Sequence, residues 1–306
     1  MIEIRDLRHR FGDVVALQGL DLTVSQGDLF GFIGPNGAGK TTTLKILATL
    51  LEPSAGEARV GGHSVREARA EVRRIIGYIP DFFGLYEDMT VMEYLRFFAA
   101  AYRIHGEKRE SIVKDVVELC DLGSRTEAYV DLLSRGMQQR LGVARVLLHD
   151  PAVLLLDEPA SGLDPRARVE MRSLLEELSR MGKTILLSSH ILWELGALCN
   201  RIAIIDEGAL KFCGTLEEAR ARAFGGKMVV VEVRQRAAEA ETALAGLAET
   251  AGCKREGARI LATLAAGRED PAPLARALAD GGFSVTRFGE EAIDLEEVFR
   301  RLVRGG

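Results

Sequence analysis

Cysteine is scarce and scattered. The four present, Cys120, Cys199, Cys213 and Cys253, form no CxxC pair. Neither a zinc knuckle nor a disulfide framework is indicated, and small buried apolar roles are expected for them. Long apolar runs are also missing. No stretch of about 18 apolar residues occurs, so no segment is expected to span a bilayer. The chain begins Met1-Ile2-Glu3-Ile4-Arg5-Asp6, with charge where a signal peptide needs an apolar stretch. A surplus of positive charge is absent too, since 40 Lys and Arg stand against 45 Asp and Glu, a net charge of -5. That excludes a nucleic-acid binder working through bulk positive charge and leaves only a local patch. Internal repeats, low-complexity tracts and long heptad runs do not occur. The reading is a cytoplasmic-type chain whose membrane role would need a partner.

What is present is ordinary globular material. The 306 residues are 47% apolar and 28% charged, enough for two domains of about 100–200 residues, each with a core. Ile2 and Ile4, Val14 to Leu17, and Leu20, Leu22 and Val24 alternate as strands, punctuated by Gly12-Asp13 and Gln26-Gly27-Asp28. Leu29 to Ile33 reads as a buried strand that feeds a glycine-rich turn and a helix over about 40–51. Helical spacing continues from about Val91 to Leu122, and again over 137–148 and 166–181. Val153 to Leu156, Thr184 to Ser188 and Ile202 to Ile205 are short apolar runs of the parallel buried kind. Strands alternating with helices predict an α/β fold with a parallel sheet. Composition shifts near Phe224-Gly225-Gly226. Beyond it the order βαββαβ predicts a small α+β domain with the split βαβ arrangement of ferredoxin-like folds, then an amphipathic helix from about Leu295 to Val303.

Gly34-Pro35-Asn36-Gly37-Ala38-Gly39-Lys40-Thr41-Thr42 fits GxxxxGK[ST] in full. Glycines let successive backbone N–H groups point at phosphate oxygens, and the following helix presents its positive N-terminus to the same anion. Lys40 is expected to reach the β- and γ-phosphates and Thr41 to ligate magnesium. The apolar strand before the loop and the helix after it supply the required context. Downstream, Asp157-Glu158 closes an apolar strand. Asp157 is placed to hold magnesium and Glu158 to polarise an attacking water. Three further features narrow the choice of P-loop protein. Leu133-Ser134-Arg135-Gly136-Met137-Gln138 opens a helix, with Ser134 suited to the N-cap and Gly136 permitting an anion to approach closely. Ser161-Gly162-Leu163-Asp164 follows the acid pair, and His190 follows the next strand, where a neutral imidazole could contact a γ-phosphate.

In this order and spacing the residues resemble the ATP-binding cassette family, as the nucleotide-binding subunit of an ABC transporter. The resemblance covers residues 1–222, with a helical signature subdomain over about 82–148 and an accessory domain over 226–306. It implies a P-loop NTPase cassette with a parallel-rich core sheet and an N-terminal antiparallel β subdomain. Gly34 to Thr42 is similar to Walker A, Val153 to Glu158 to Walker B, Leu133 to Gln138 to the family signature, and Ser161 to Asp164 to the D-loop. His190 matches the switch histidine, and Phe11 the aromatic that stacks on adenine, the alternative for Phe11 being a core side chain. The resemblance implies ATP and magnesium as cofactors and a head-to-tail pair of cassettes. In that pair Ser134 and Gly136 complete the phosphate site of the other chain. It also implies separate transmembrane permease subunits and a place on the inner face of the cell membrane. The Phe82–Tyr94 run and the C-terminal segment from Asp294 to Leu302 resemble subunits of multidrug, lipid or polysaccharide exporters. No nucleic-acid partner is expected, and the alternative is a soluble cassette ATPase not coupled to transport.

The pattern departs from the family at two places. The signature reads Leu-Ser-Arg-Gly-Met where the family has LSGGQ, which leaves Arg135 either near the facing chain's phosphate or in solvent. Asp81 stands where the family places a glutamine. A carboxylate there could ligate magnesium, but it would also repel a triphosphate. The run Phe82-Phe83-Gly84-Leu85-Tyr86 that follows suggests either a docking surface for a membrane partner or packing under the helical subdomain.

Overall fold

β3 (Leu29–Ile33) is buried along its whole length, and the rest of the first unit is arranged around it. The computed structural model describes residues 1–81, 84, 86, 88–190, 198–265, 267–268, 270–290 and 295–304. Contacts divide the chain into two compact units, Met1–Cys213 and Gly214–Gly306.

In the first unit, β1 (Ile2–Phe11) pairs antiparallel with β2 (Val14–Val24) and with β4 (Ala55–Val60). β5 (His63–Ser64) completes a four-stranded sheet in the order β2-β1-β4-β5. Inward positions alternate along β1, with Ile2, Ile4 and Leu7 buried, which is the periodicity of a strand with one face on a core. The second sheet has the order β10-β9-β3-β8-β7-β6. Its strands are β6 (Ile76–Ile79), β7 (Val153–Asp157), β8 (Thr184–Ser189), β9 (Arg201–Asp206) and β10 (Ala209–Gly214). β9, β3, β8, β7 and β6 run parallel. Parallel strands end at one edge, and that edge collects Ile33, Asp157 and Ser189.

Helices α1 (Lys40–Leu47), α2 (Arg69–Ile75), α3 (Val91–Ala101), α4 (Gly106–Leu119), α5 (Arg135–Leu147) and α6 (Pro165–Arg180) complete the unit. The single helical stretch expected over 91–122 is two helices. α3 starts on a capping box between Thr90 and Glu93. It ends where Ile104 N donates to Ala99 O and Arg103 takes a positive φ of 63°. The inward apolar spacing resumes in α4, so periodicity alone joined the two. α1 likewise stops at Leu47, short of residue 51, as Thr49 turns to φ 60°. Cys120 is buried, with desolvation pushing its thiol up to about 12, and the other three cysteines are half-buried; none of the four forms a disulfide.

The second unit holds α7 (Leu216–Phe224), β11 (Met228–Val233), α8 (Ala237–Ala245), β12 (Thr250–Glu256), β13 (Arg259–Leu264), α9 (Ala272–Asp280), β14 (Val285–Glu290) and α10 (Leu295–Arg304). Its sheet has the order β12-β13-β11-β14, every pair antiparallel. This order is compatible with the split βαβ arrangement. Val229, Val231, Ile260 and Ala262 pack from one sheet face against Ala240 and Leu244 of α8 and Leu274 and Leu278 of α9. α7 falls in this unit although the sequence placed residues to 222 in the first, because the Arg301 guanidinium of α10 lies 4.1 Å from the Phe224 ring centroid.

Candidate functional site

The loop 34–39 joins β3 to α1 at the shared edge. Pro35, Asn36 and Gly37 are exposed at its apex, and Ala38 and Gly39 are buried. Gly39 has φ 104°, and a Cβ there would lie 2.7 Å from Ala16 O, so both conformation and space demand glycine. Thr43 fixes the helix start by donating through Oγ1 to Gly39 O at 2.9 Å, while Thr42 is half-buried beside it. The Lys40 side chain, 6% exposed, lies across the loop. Its Nζ donates to Gly34 O at 2.7 Å and Pro35 O at 3.2 Å.

Three of the predicted residues meet at this lysine. Nζ of Lys40 is 3.3 Å from Glu158 Oε1, and Glu158 Oε2 is 2.8 Å from His190 Nδ1. His190 N also donates to Glu158 Oε2 at 3.3 Å. The carboxylate is thus held from both sides. Its backbone has φ 52°, a left-handed conformation that costs a non-glycine residue on the order of 1–3 kcal/mol and that clusters at functional sites. Beside it, Thr41 Oγ1 donates to Asp157 Oδ1 at 3.1 Å. Two hard oxygen donors therefore converge on one point, the set that suits magnesium together with phosphate oxygens. Among the described residues no group of three or more His, Cys, Asp or Glu side chains could hold a metal by itself.

Among the described residues no hydrogen bond joins Asp81 to Thr41 or Asp157. The Asp81 carbonyl accepts from Gln139 Nε2 at 3.5 Å, and its exposed carboxylate makes no hydrogen bond or ion pair among the described residues. Ser134 is the N-cap of α5, accepting from Met137 N at 3.4 Å. Gly136 is buried for a packing reason: a Cβ there would lie 2.7 Å from Ala167 Cβ on α6. Asp164 is the N-cap of α6, accepting from Arg166 N at 2.9 Å and Ala167 N at 3.0 Å. Phe11 is not a core residue. It is 51% exposed, and its ring meets His9 edge-on with centroids 4.5 Å apart. Of the aromatic run, Phe82, Phe83 and Leu85 lie outside the described residues, as does Asp294. Tyr86 packs on Phe97 at 5.5 Å yet stays 50% exposed, and Phe97 is 44% exposed.

Two site residues escaped sequence reasoning. Ser188 Oγ donates to Asp157 Oδ1 at 2.7 Å and accepts from Glu158 N at 3.0 Å, so one hydroxyl fixes both acids. The available signal was a polar residue ending an otherwise apolar strand, in parallel register with Asp157. Tyr78 on β6 is the other. Its hydroxyl has no partner among the described residues, and burial, then the Asp157 charge, raises it above its ordinary value.

Known proteins match this arrangement. The family described as "ABC transporter" matches residues 17–161. A protein of Cupriavidus pinatubonensis named Nod factor export ATP-binding protein I is 37% identical over 305 residues, 99% of this chain and 90% of that protein. The protein of the same name from Burkholderia lata is 42% identical over 207 residues, 68% of each chain. A solved ATP-binding subunit of an ABC transporter is 32% identical, with TM-score 0.66 over 74% of this chain and 93% of that one. A dimeric ATP-binding cassette in a post-hydrolysis state with ADP and Pi is 26% identical, with TM-score 0.64 over 71% of this chain and 99% of that one.

Proposed function

This chain belongs to the ABC transporter family as an ATP-binding, ATP-hydrolysing subunit, and on that premise we propose how its residues carry out export. Observations favouring a soluble cassette ATPase uncoupled from transport are lacking, while the full-length relatives bear the name of export subunits. The observation that carries the reading is the Glu158 carboxylate set between Lys40 and His190, beside the Thr41–Asp157 pair. ATP lies along residues 34–42 with backbone N–H groups and Lys40 on its phosphates. Thr41 and Asp157 would hold magnesium, which would neutralise phosphate charge. Glu158 accepts a proton from the attacking water. His190, bonded to Glu158 through Nδ1, orients that carboxylate. Ser134, Gly136 and Asp164 stand at the starts of α5 and α6. They serve a second cassette across a two-fold interface. Asp81 contributes through its backbone contact to Gln139 rather than as a ligand.

Among the described residues no helix is long and apolar enough to cross a membrane. Coupling therefore runs through a permease that holds the cassette at the inner face of the membrane. The exposed Tyr86 and Phe97 rings, one shortly after Asp81 and the other on α3, offer an aromatic surface for it. Purification from native membranes should recover a polytopic partner, and recovery of the cassette without one contradicts this coupling. Phe11→Ala should raise the KM for ATP severalfold with kcat nearly unchanged, because stacking acts alike in ground and transition states. Steady-state kinetics check it, and an unchanged KM removes Phe11 from the adenine site.

A further inference from the structure

The departure in the signature finds its place against the D-loop. Arg135, the first residue of α5, lies over Gly162: a Cβ on Gly162 would be 2.5 Å from Arg135 Nη1, 2.6 Å from Cζ and 3.1 Å from Nε. Gly162 has φ 67°, so the turn presents bare backbone to the guanidinium. The same two segments touch again at Gly136 and Ala167. One turn further on, buried Arg140 reaches Glu170 Oε2 at 3.3 Å while Glu170 Oε1 pairs with Arg166 at 2.9 Å. The start of α5 and the start of α6 are thus interlocked at successive levels. The turn itself is tied to the backbone of Glu158, since Ser161 N donates to the Glu158 carbonyl oxygen at 3.0 Å and Leu163 N to that of Ala160 at 3.3 Å. Arg135 makes no hydrogen bond or ion pair among the described residues, and no acid occupies the first turn of its helix. A cation at a helix N-terminus is electrostatically disfavoured. Neither an ion pair nor the helix dipole explains it.

We propose that Arg135 is a positioning residue for ATP hydrolysis: its planar guanidinium packs on Gly162 and sets the turn that carries the Glu158 backbone. The proposal rests on the ATPase reading, with Glu158 as base, and differs from a direct phosphate contact by Arg135. A glycine at 135, as in the family signature, cannot reach Gly162, so this coupling belongs to the Arg variant. Shape matters more than charge here, because a lysine ammonium offers no flat face.

The test is a double-mutant cycle on the full chain, Arg135→Ala with Gly162→Ala, reading kcat and KM for ATP and the thermal midpoint. Arg135→Ala should lower kcat about tenfold, the size of coupling between touching residues, with KM nearly unchanged. Gly162→Ala should lower kcat more in the Arg135 background than in Arg135→Ala, because removing the guanidinium leaves only the cost of the positive φ. Arg135→Lys should not restore turnover. Additive effects in the cycle, or full turnover in Arg135→Lys, would overturn the proposal in favour of a charge acting on phosphate. Equal thermal midpoints keep the comparison free of misfolding. The cycle reads the Arg135–Gly162 coupling whatever group is the base, whereas normal turnover in Glu158→Gln would reject Glu158 and leave that coupling measured.

Discussion

Glu158→Gln should bind ATP and lose turnover by about 10²–10⁴-fold, the usual range for a general base. The amide keeps the shape of the carboxylate and can keep one hydrogen bond to His190, but it cannot accept the proton of an attacking water. The loss falls on the chemical step, because Glu158 does not form the phosphate loop. Binding should hold or tighten, since the carboxylate that lies 3.3 Å from Lys40 Nζ competes with phosphate for that cation. Nucleotide titration and single-turnover hydrolysis separate the two effects. Normal hydrolysis by this variant would place the base elsewhere.

Lys40→Ala should weaken ATP binding about 10- to 100-fold, the equivalent of one charge-assisted contact at about 1.5–3 kcal/mol. Lys40 is buried and donates to Gly34 O and Pro35 O. Its removal therefore also loosens the loop whose backbone must face the phosphates. A truncated side chain leaves Glu158 with His190 as its remaining partner, so hydrolysis should fall as well. Equilibrium binding by fluorescence or calorimetry checks the first effect, with the thermal midpoint as a control on folding. Unchanged affinity would reject the phosphate-loop assignment.

These residues were legible because their chemistry is local in sequence. A phosphate loop is one turn between a strand and a helix, and the acid pair is the end of one strand, so spacing alone singled out Lys40, Thr41, Asp157 and Glu158 as candidates, and the structure brings their side chains within bonding distance in pairs. The parallel core was legible for a similar reason: β3, β7, β8 and β9 are short apolar runs with no alternation. What could not be read was set by register between distant segments. Ser188 fixes both acids only because β8 lies in parallel register beside β7. The need for glycine at 136 comes from Ala167 on another helix, and the place of Arg135 from the turn at 162. The break between α3 and α4 was hidden because the apolar period continues across it. For Asp81, position in the family pattern suggested a ligand, whereas its one hydrogen bond among the described residues is through its backbone carbonyl to Gln139.

We propose that two copies of this cassette close over ATP, with Ser134 of each completing the site of the other. Light scattering on Glu158→Gln during size-exclusion chromatography, with and without ATP and no magnesium, tests it most directly. ATP should move the chain from its monomer mass of 33.4 kDa to twice that value. A chain that binds ATP and stays at the monomer mass would contradict pairing between two copies.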